Sequence, residues 1–225
     1  MSRKTVGSLL VAALLATASF CTARAAETSV ALNGYGWLNT TSNLSSGLAQ
    51  IPANSFGAML EVRRISSPLI GYEVTYGYNR DNQEYSNPIS CAGASCPLAP
   101  YAASVSSAAN QITGDWVLSL KIKRVHTFAL AGAGIVMDSP SKGTLYSYTL
   151  LDNPAFTSSS APTSSATSPA FVYGFGADWA VRKHIGVRFQ YRGLLHRAPA
   201  LTSSFASTKV FAQSYEPMVG VFYKF

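Results

Sequence analysis

Eight stretches of this chain alternate apolar and polar residues with a period of two. This period indicates β-strands, because successive side chains of a strand point to opposite faces of a sheet. Each stretch is long enough to cross a bilayer as a tilted strand, which takes about 9–11 residues. The predicted strands are 28–39, 54–65, 69–80, 111–122, 126–137, 170–181, 185–195 and 209–225.

The connections between these strands alternate between long and short. An even number of strands lets an antiparallel sheet close on itself, which leaves no unpaired edge. The pattern predicts an all-β fold: an eight-stranded antiparallel up-and-down transmembrane β-barrel with short periplasmic turns and long extracellular loops. The short connections are 66–68, 123–125 and 182–184, and the long ones are 40–53, 81–110, 138–169 and 196–208.

The two faces of each predicted strand differ in polarity. Trp116 and Leu118 lie on one face of their strand, for example, and Asp115 and Ser119 on the other. An eight-stranded barrel has an interior just wide enough for side chains to fill. We therefore expect the polar faces, which are rich in Gly, Ser and Thr, to point inward and the apolar faces to meet lipid. The alternative is a soluble, lipocalin-like periplasmic carrier, in which the apolar faces would point inward.

The charged residues of the polar faces are expected to form a network inside the barrel. Unpaired buried charges are very costly, so acids and bases there should pair and plug the interior. The alternative is a channel or a proton relay, although eight strands leave too little lumen for a general pore. The predicted interior network is Glu61, Arg63, Glu73, Asp115, Lys121, Asp178, Arg188, Arg192 and Glu216.

Aromatic residues are expected in two bands, because membrane interfaces favour rings with a polar edge. The band at the loop ends of the strands is Trp37, Tyr76, Tyr78, Tyr173 and Tyr191, and the band at the turn ends is Trp179, Tyr223 and Phe225.

Two details of the first and last strands stay open at this stage. Leu32 and Leu38 lie on one face of the first strand, whereas Tyr35 and Trp37 lie on the other, so both faces are apolar. Pro217, in the last strand, cannot donate a ladder hydrogen bond. It marks either a bulge or a strand that begins only after it.

Residues 1–26 predict a secretory signal peptide that precedes a single barrel domain at 27–225. The segment has a basic start, a short apolar run and a small-residue cleavage site near Ala25/Ala26. Its removal leaves 14 Lys and Arg against 10 acidic residues, a net charge of +4. This modest charge gives no reason to expect nucleic acid as a partner.

Two cysteines, Cys91 and Cys96, then remain, in a stretch rich in Pro, Ser, Ala and Gly. A close pair in an exported chain favours a disulfide. The alternative is a zinc site, which needs further ligands, and that stretch contains no histidine.

The chain resembles the small outer-membrane β-barrel family, the OmpA-like and opacity-type eight-stranded barrel domains. The resemblance covers about residues 27–225 and rests on the opening strand 31–39, on 174–179 before the Lys183-His184 turn, and on the closing residues 221–225. It implies insertion among outer-membrane lipids and no particular activity. In that family the C-terminal aromatic pattern is the signal for the barrel-assembly machinery, and the matching positions here are Val219, Val221, Tyr223 and Phe225.

The sequence contains no catalytic or cofactor-binding signature such as G-x-S-x-G, H-E-x-x-H or a phosphate-binding glycine loop. The one catalytic hypothesis is a rim acyl hydrolase that uses His196 with Ser203 or Ser204, but 196–208 contains no acid to orient the histidine. Any extracellular ligand is expected to bind the predicted loops 81–110 and 138–169. Eight basic residues near the turns either contact phospholipid phosphates or are solvated: Arg63, Arg64, Lys121, Lys123, Arg124, Arg182, Lys183 and Lys224.

Overall fold

Strands form wherever the period-two alternation predicts them. The computed structural model describes residues 27–43, 49–66, 69–86, 99–149, 155–204 and 210–225. The predicted signal peptide and the Cys91–Cys96 pair lie outside these residues. The strands are β1 (Glu27–Asn39), β2 (Ser42–Asn43), β3 (Ala49–Pro52), β4 (Ser55–Ile65), β5 (Ile70–Ser86), β6 (Ala99–Ile122), β7 (Val125–Thr149), β8 (Ala155–Ser160), β9 (Ala166–Ala180), β10 (Ile185–Arg197) and β11 (Phe211–Lys224). Within the described ranges, no helix is long and apolar enough to cross a membrane.

Eight of these strands close into an antiparallel barrel. Their order is β4-β1-β11-β10-β9-β7-β6-β5, and β5 pairs back onto β4. The first and last barrel strands are neighbours, with Leu32 opposite Val221. The predicted eight-stranded antiparallel barrel is therefore confirmed. The end of the barrel that carries the short connections, such as 123–124 and 181–184, is called the turn end below.

The long connections are shorter than predicted, because strands continue beyond their apolar stretches. β5 runs on to Ser86, β6 begins at Ala99 and β7 continues to Thr149. The predicted loop bounds 81–110 and 138–169 are therefore wrong. The continuing strands carry mostly polar or small residues on both faces, and their few large apolar residues, such as Tyr85 and Val105, are too sparse to reveal the alternation. Together they form an extension of the barrel opposite the turn end.

Two short additions join this extension. The hairpin of β2 and β3 pairs with β5, and β8 pairs with β7 beside the barrel. The predicted long connection 40–53 is thus partly sheet. Hydrogen bonds to these additions satisfy backbone groups of strands that rise above the closed barrel.

The outward face of the barrel is a continuous apolar belt. Phe56, Trp116 and Phe175 are 88%, 72% and 64% exposed. The predicted direction of the apolar faces agrees with this arrangement. The last outward belt residues toward the extension are Leu38, Phe56, Tyr78, Ile112, Met137, Phe171, Leu195 and Tyr215, and those toward the turn end are Val30, Ile70, Ile122, Val125, Trp179, Ile185 and Tyr223.

Strand β1 directs its two largest aromatic side chains inward. Tyr35 and Trp37 are both 3% exposed, whereas Leu32 on the other face is 59% exposed. The assignment of Trp37 to an interfacial band is therefore wrong. Glycines at 34 and 36 alternate with Leu32 on the outward face, which left both faces of β1 looking equally apolar.

Pro217 interrupts a ladder without shifting its register. Tyr35 pairs with Met218 and Leu38 with Tyr215, which is one continuous alignment of β1 and β11. β11 already begins at Phe211, so neither the predicted bulge nor the later start occurs. The Pro217 ring packs beside Gly36 on the neighbouring strand, where a Cβ atom would lie at an ordinary contact distance of 3.4 Å from Pro217 Cγ.

The turn between β6 and β7 contains a strained residue. Its two central residues are Lys123 and Arg124, and Lys123 has a positive φ of 56°. Two-residue hairpin turns with a positive φ at the first central position favour glycine there. A lysine at this position therefore costs stability.

Candidate functional site: the barrel interior

The polar faces bring a dense charge cluster together near the turn end of the barrel. Arg63 on β4 lies directly opposite Glu73 on β5, and their side chains are 2.5 Å apart. The Arg63 guanidinium also reaches Asp178 at 3.4 Å and donates to Gln190 Oε1 at 3.1 Å. Its planar face lies 3.7 Å from the centroid of the Phe128 ring, a cation–π contact.

Arg188 on β10 forms the second centre of this cluster. It lies directly opposite Asp178 on β9 and donates to both oxygens of that carboxylate, at 2.7 and 2.8 Å. A third hydrogen bond of 2.8 Å reaches Glu61 Oε2 across the barrel. Bidentate arginine–carboxylate pairs are among the strongest hydrogen-bonded ion pairs in proteins. Arg188 thus ties the β9–β10 side of the barrel to β4.

Arg192 forms the third centre, one step farther from the turn end on β10. It lies directly opposite Glu216 on β11, with 3.5 Å between Nε and Oε2. Its other nitrogens donate to Thr75 and Thr113 at 3.2 and 3.0 Å and lie 3.9 Å from Asp115. Each arginine of the cluster thus faces an acid on a neighbouring strand, which favours one register for those ladders.

The cluster carries more negative than positive groups. Three guanidinium groups face five carboxylates, all at most 13% exposed. The residues of this charge cluster are Glu61, Arg63, Glu73, Asp115, Asp178, Arg188, Arg192 and Glu216.

Lys121, which the sequence prediction placed in the interior network, does not belong to this cluster. Its side chain is exposed beside the β6–β7 turn, where it pairs in register with His126. Lys121 occupies an inward position in the alternation along β6, but it lies where the barrel opens to solvent. An inward position therefore does not predict burial at the end of a strand.

The charge cluster opens to water through a small vestibule at the turn end. This cavity has a volume of about 50 Å³, and its lining includes Arg63, Asp178, Ser119 and Phe222. Beyond the cluster the interior is filled by apolar side chains, among them Met59, Leu130, Val172, Leu194 and Met218. Charged side chains thus occupy the interior near the turn end, and apolar side chains occupy it farther along.

At the other end, a segment folds back into the barrel mouth. Residues 198–204 follow β10, and Leu201 within them is fully buried. Tyr85 Oη donates to the Pro199 carbonyl at 3.0 Å and accepts from the Leu201 amide at 2.9 Å. Gln50 Nε2 also donates to the Pro199 carbonyl, at 2.8 Å. This segment is called the mouth plug below.

Two aspartates lie just beneath the mouth plug. Asp81 and Asp138 are 7% and 4% exposed, beyond the belt residues Tyr78 and Met137 of their strands. Burial and the charge of Asp81 raise the pKa of Asp138 to about 7. Burial also raises the pKa of Asp81, although a 2.6 Å hydrogen bond from Ser107 Oγ partly opposes this. The sequence prediction missed both residues because they fall in stretches assigned to loops.

The residues of the hydrolase hypothesis are not brought together. His196 is 5% exposed, and its Nδ1 and Nε2 lie 3.1 Å from the Arg197 carbonyl and from Ser214 Oγ. Ser214 donates its hydroxyl hydrogen to Asn39 Oδ1 at 2.6 Å, and it is fully buried. Ser203 and Ser204 have no hydrogen bond with the His196 ring. The arrangement thus lacks an accessible serine activated by this histidine.

The remaining predicted positions lie on the surface. Val219, Val221, Tyr223 and Phe225 all point outward and are 48–73% exposed. Lys123, Arg124, Arg182 and Lys183 are exposed at the turn end, whereas Arg63 is buried in the charge cluster. Lys224 forms an ion pair with Glu27.

Comparison with known proteins shows a likeness in fold. No protein-family model matches the chain, and no curated protein matches it in sequence. The outer membrane protein OprG from Pseudomonas aeruginosa superposes with a TM-score of 0.53 at 11% identity, covering 89% of this chain and 96% of OprG. The Ail protein of Yersinia pestis gives 0.48 at 12% identity, covering 88% of this chain and 98% of Ail. Neisserial surface protein A also gives 0.48, at 14% identity, covering 90% of this chain and 100% of that protein. The likeness to OprG shows that the chain shares its barrel fold.

Proposed function

We propose that this chain is an integral outer-membrane β-barrel with a structural or surface-interaction role and no catalysis. The observation that carries the proposal is the inverted polarity of the barrel. Its outward belt is apolar, with Phe56 and Trp116 as the most exposed examples, whereas its core holds arginines and carboxylates. Soluble proteins rarely expose contiguous apolar patches larger than a few hundred Å².

The alternative of a soluble, lipocalin-like carrier requires the opposite arrangement of faces. A carrier barrel has a mostly apolar cavity large enough for a ligand. Here Arg188 and Arg192 fill the interior, and the vestibule at the turn end holds only about 50 Å³. We therefore favour the membrane barrel over the carrier.

The surface-interaction role would belong to the extension of the barrel. Its outward side has a polar groove of about 450 Å³, and the lining includes Asn54, Arg80, Asn82 and Ser141. The groove begins just above Tyr78, the last outward belt residue of β5, and Arg80 Nε donates to the Tyr78 hydroxyl at 2.9 Å. In the proposed orientation this groove faces the extracellular side, where it is available to a polar ligand.

Cell fractionation and gel electrophoresis with and without boiling test this proposal. The mature chain should co-purify with the outer membrane and migrate faster when unboiled, because closed membrane barrels resist unfolding by detergent at room temperature. Deletion of Phe225 should reduce the amount in the outer membrane if the C-terminal pattern is an assembly signal. Recovery of the folded chain from a detergent-free periplasmic extract would support the carrier instead.

A further inference from the structure

The two aspartates beneath the mouth plug share one small cavity. Its volume is about 10 Å³, and its lining includes Asp81, Asp138, Gln83, Trp37 and Pro199. A space of this size is about enough for one water molecule. The cavity therefore suits a single ion and excludes a polyatomic ligand.

Asp138 has no hydrogen bond or ion pair with any residue in the described ranges, although it is 4% exposed. Asp81 accepts a hydrogen bond of 2.6 Å from Ser107 Oγ, and a hydrogen bond from the Gln83 side chain also favours its charged form. No Lys or Arg side chain belongs to the cavity lining. An uncompensated buried carboxylate is strongly unfavourable.

The charge cluster provides a comparison within the same barrel. Every carboxylate there has an arginine nitrogen within 3.9 Å. Asp81 and Asp138 have no such partner in the cavity, whose mixed lining also offers the polar side chains of Asn39, Gln50 and Gln83. Among the described residues that line this cavity, no Lys or Arg compensates the two carboxylates.

We infer that Asp81 and Asp138 bind a hard divalent cation of the calcium type at the barrel mouth. Calcium takes six to eight oxygen ligands and accepts carboxylate, amide, carbonyl and water oxygens in flexible geometry. The described residues contain no group of three or more His, Cys, Asp or Glu side chains suited to a metal. Neutral oxygens of the lining, such as those of Asn39, Gln50 and Gln83, must therefore complete the shell around the two carboxylates.

Binding at this position would fasten the mouth of the barrel. Asp81 lies on β5 and Asp138 on β7, and Ala198 and Pro199 of the mouth plug line the same cavity. A bound cation would remove the repulsion between the two carboxylates directly beneath the plug. The free energy of unfolding of the whole barrel should then increase with the cation concentration.

Terbium luminescence tests the site directly, because Trp37 lines the cavity and can sensitise a bound Tb³⁺ ion. The refolded mature chain in a nonionic detergent at pH 8 should give a saturable signal that Ca²⁺ displaces. Asp138→Asn and Asp81→Asn should each weaken Tb³⁺ binding by about tenfold or more, because affinity follows the number of charged ligands. The matched control is Glu84→Gln, which changes an exposed carboxylate on the outward face of β5 and should leave binding unchanged.

A second variant separates loss of the reporter from loss of the site. Trp37→Phe should abolish the sensitised signal while Ca²⁺ still raises the unfolding midpoint. Folding of each variant is verified by its faster migration when unboiled. If Asp138→Asn does not fold, Asp81→Asn alone tests the contribution of the carboxylates to binding. No saturable signal in the native chain, or a Tb³⁺ affinity in both aspartate variants that equals the affinity of the native chain, would overturn the inference and leave a proton as the only occupant.

Discussion

Replacing Arg188 with methionine should strongly destabilise the barrel. Methionine has a similar volume to arginine but removes three hydrogen bonds of 2.7–2.8 Å to Asp178 and Glu61. The glutamate is fully buried and would lose its closest cation. Removing one partner of a buried ion pair costs about 3–5 kcal/mol, chiefly because the remaining charge stays buried without compensation.

The assay is reversible unfolding by urea in lipid vesicles, followed by tryptophan fluorescence. The free energy of unfolding of Arg188→Met should fall by about 3–5 kcal/mol with an unchanged denaturant slope. Lys121→Met is the matched control, because Lys121 is exposed and outside the cluster, and it should change stability by less than about 0.5 kcal/mol.

A double variant shows whether the loss comes from the cluster itself. Removing Asp178 as well, in Arg188→Met/Asp178→Asn, eliminates one of the uncompensated charges. The two substitutions should therefore be less destabilising together than the sum of their separate effects, by about 0.5–3 kcal/mol. A cost below about 1 kcal/mol for Arg188→Met, or strict additivity in the double variant, would refute the assignment of these charges to a packed interior.

Three further predictions concern the belt, the strained turn and the barrel mouth. Leu118→Arg in mid-belt should lower the free energy of unfolding in vesicles by about 2–4 kcal/mol, whereas Ser104→Arg, on the same face of β6 above the belt, should not. An unchanged urea midpoint for Leu118→Arg would contradict the assignment of this face to lipid. Lys123→Gly should stabilise the barrel by about 1 kcal/mol, because glycine adopts a positive φ without strain. A gain of the same size from Arg124→Gly would show that the strain is not specific to position 123. With EDTA present, the free energy of unfolding should fall as the pH rises from 3.8, the ordinary pKa of an aspartate, toward about 7, because the unfolded chain loses the Asp138 proton before the folded chain does. Asp138→Asn should flatten this decline, and a native chain whose stability rises over that range would contradict the prediction.

The strand pattern was predictable because the barrel has a strict inside and outside. Phe175 and Trp179 on β9, for example, lie on the face that the alternation assigned to them. Register was not predictable, because it depends on which strands become neighbours. The opposition of Arg63 to Glu73, and of Arg192 to Glu216, requires the closed topology and is invisible in the chain order.

The errors of the sequence prediction lie where the alternation of apolar and polar residues no longer indicates which side chains are buried. On β1, Trp37 points inward among other buried side chains, and glycines on the outward face removed the contrast between faces. Lys121 lies at a strand end, where inward parity no longer implies burial. Asp81 and Asp138 escaped notice because their strands continue with two polar faces. Every second residue of β5 points inward, from Glu73 through Asn79 to Asp81. Continuing this alternation beyond the apolar stretch would have predicted that Asp81 points inward.

The orientation of the two barrel faces is the central claim, and the three tryptophans of the chain report on it directly. Trp116 and Trp179 point outward and are 72% and 54% exposed, whereas Trp37 is buried inside at 3%. Single-tryptophan variants refolded into vesicles of brominated phospholipid should show strong quenching of Trp116 and Trp179 and weak quenching of Trp37. Strong quenching of Trp37 with no quenching of Trp116, or failure of the folded chain to enter the vesicles, would contradict a barrel whose apolar face meets lipid.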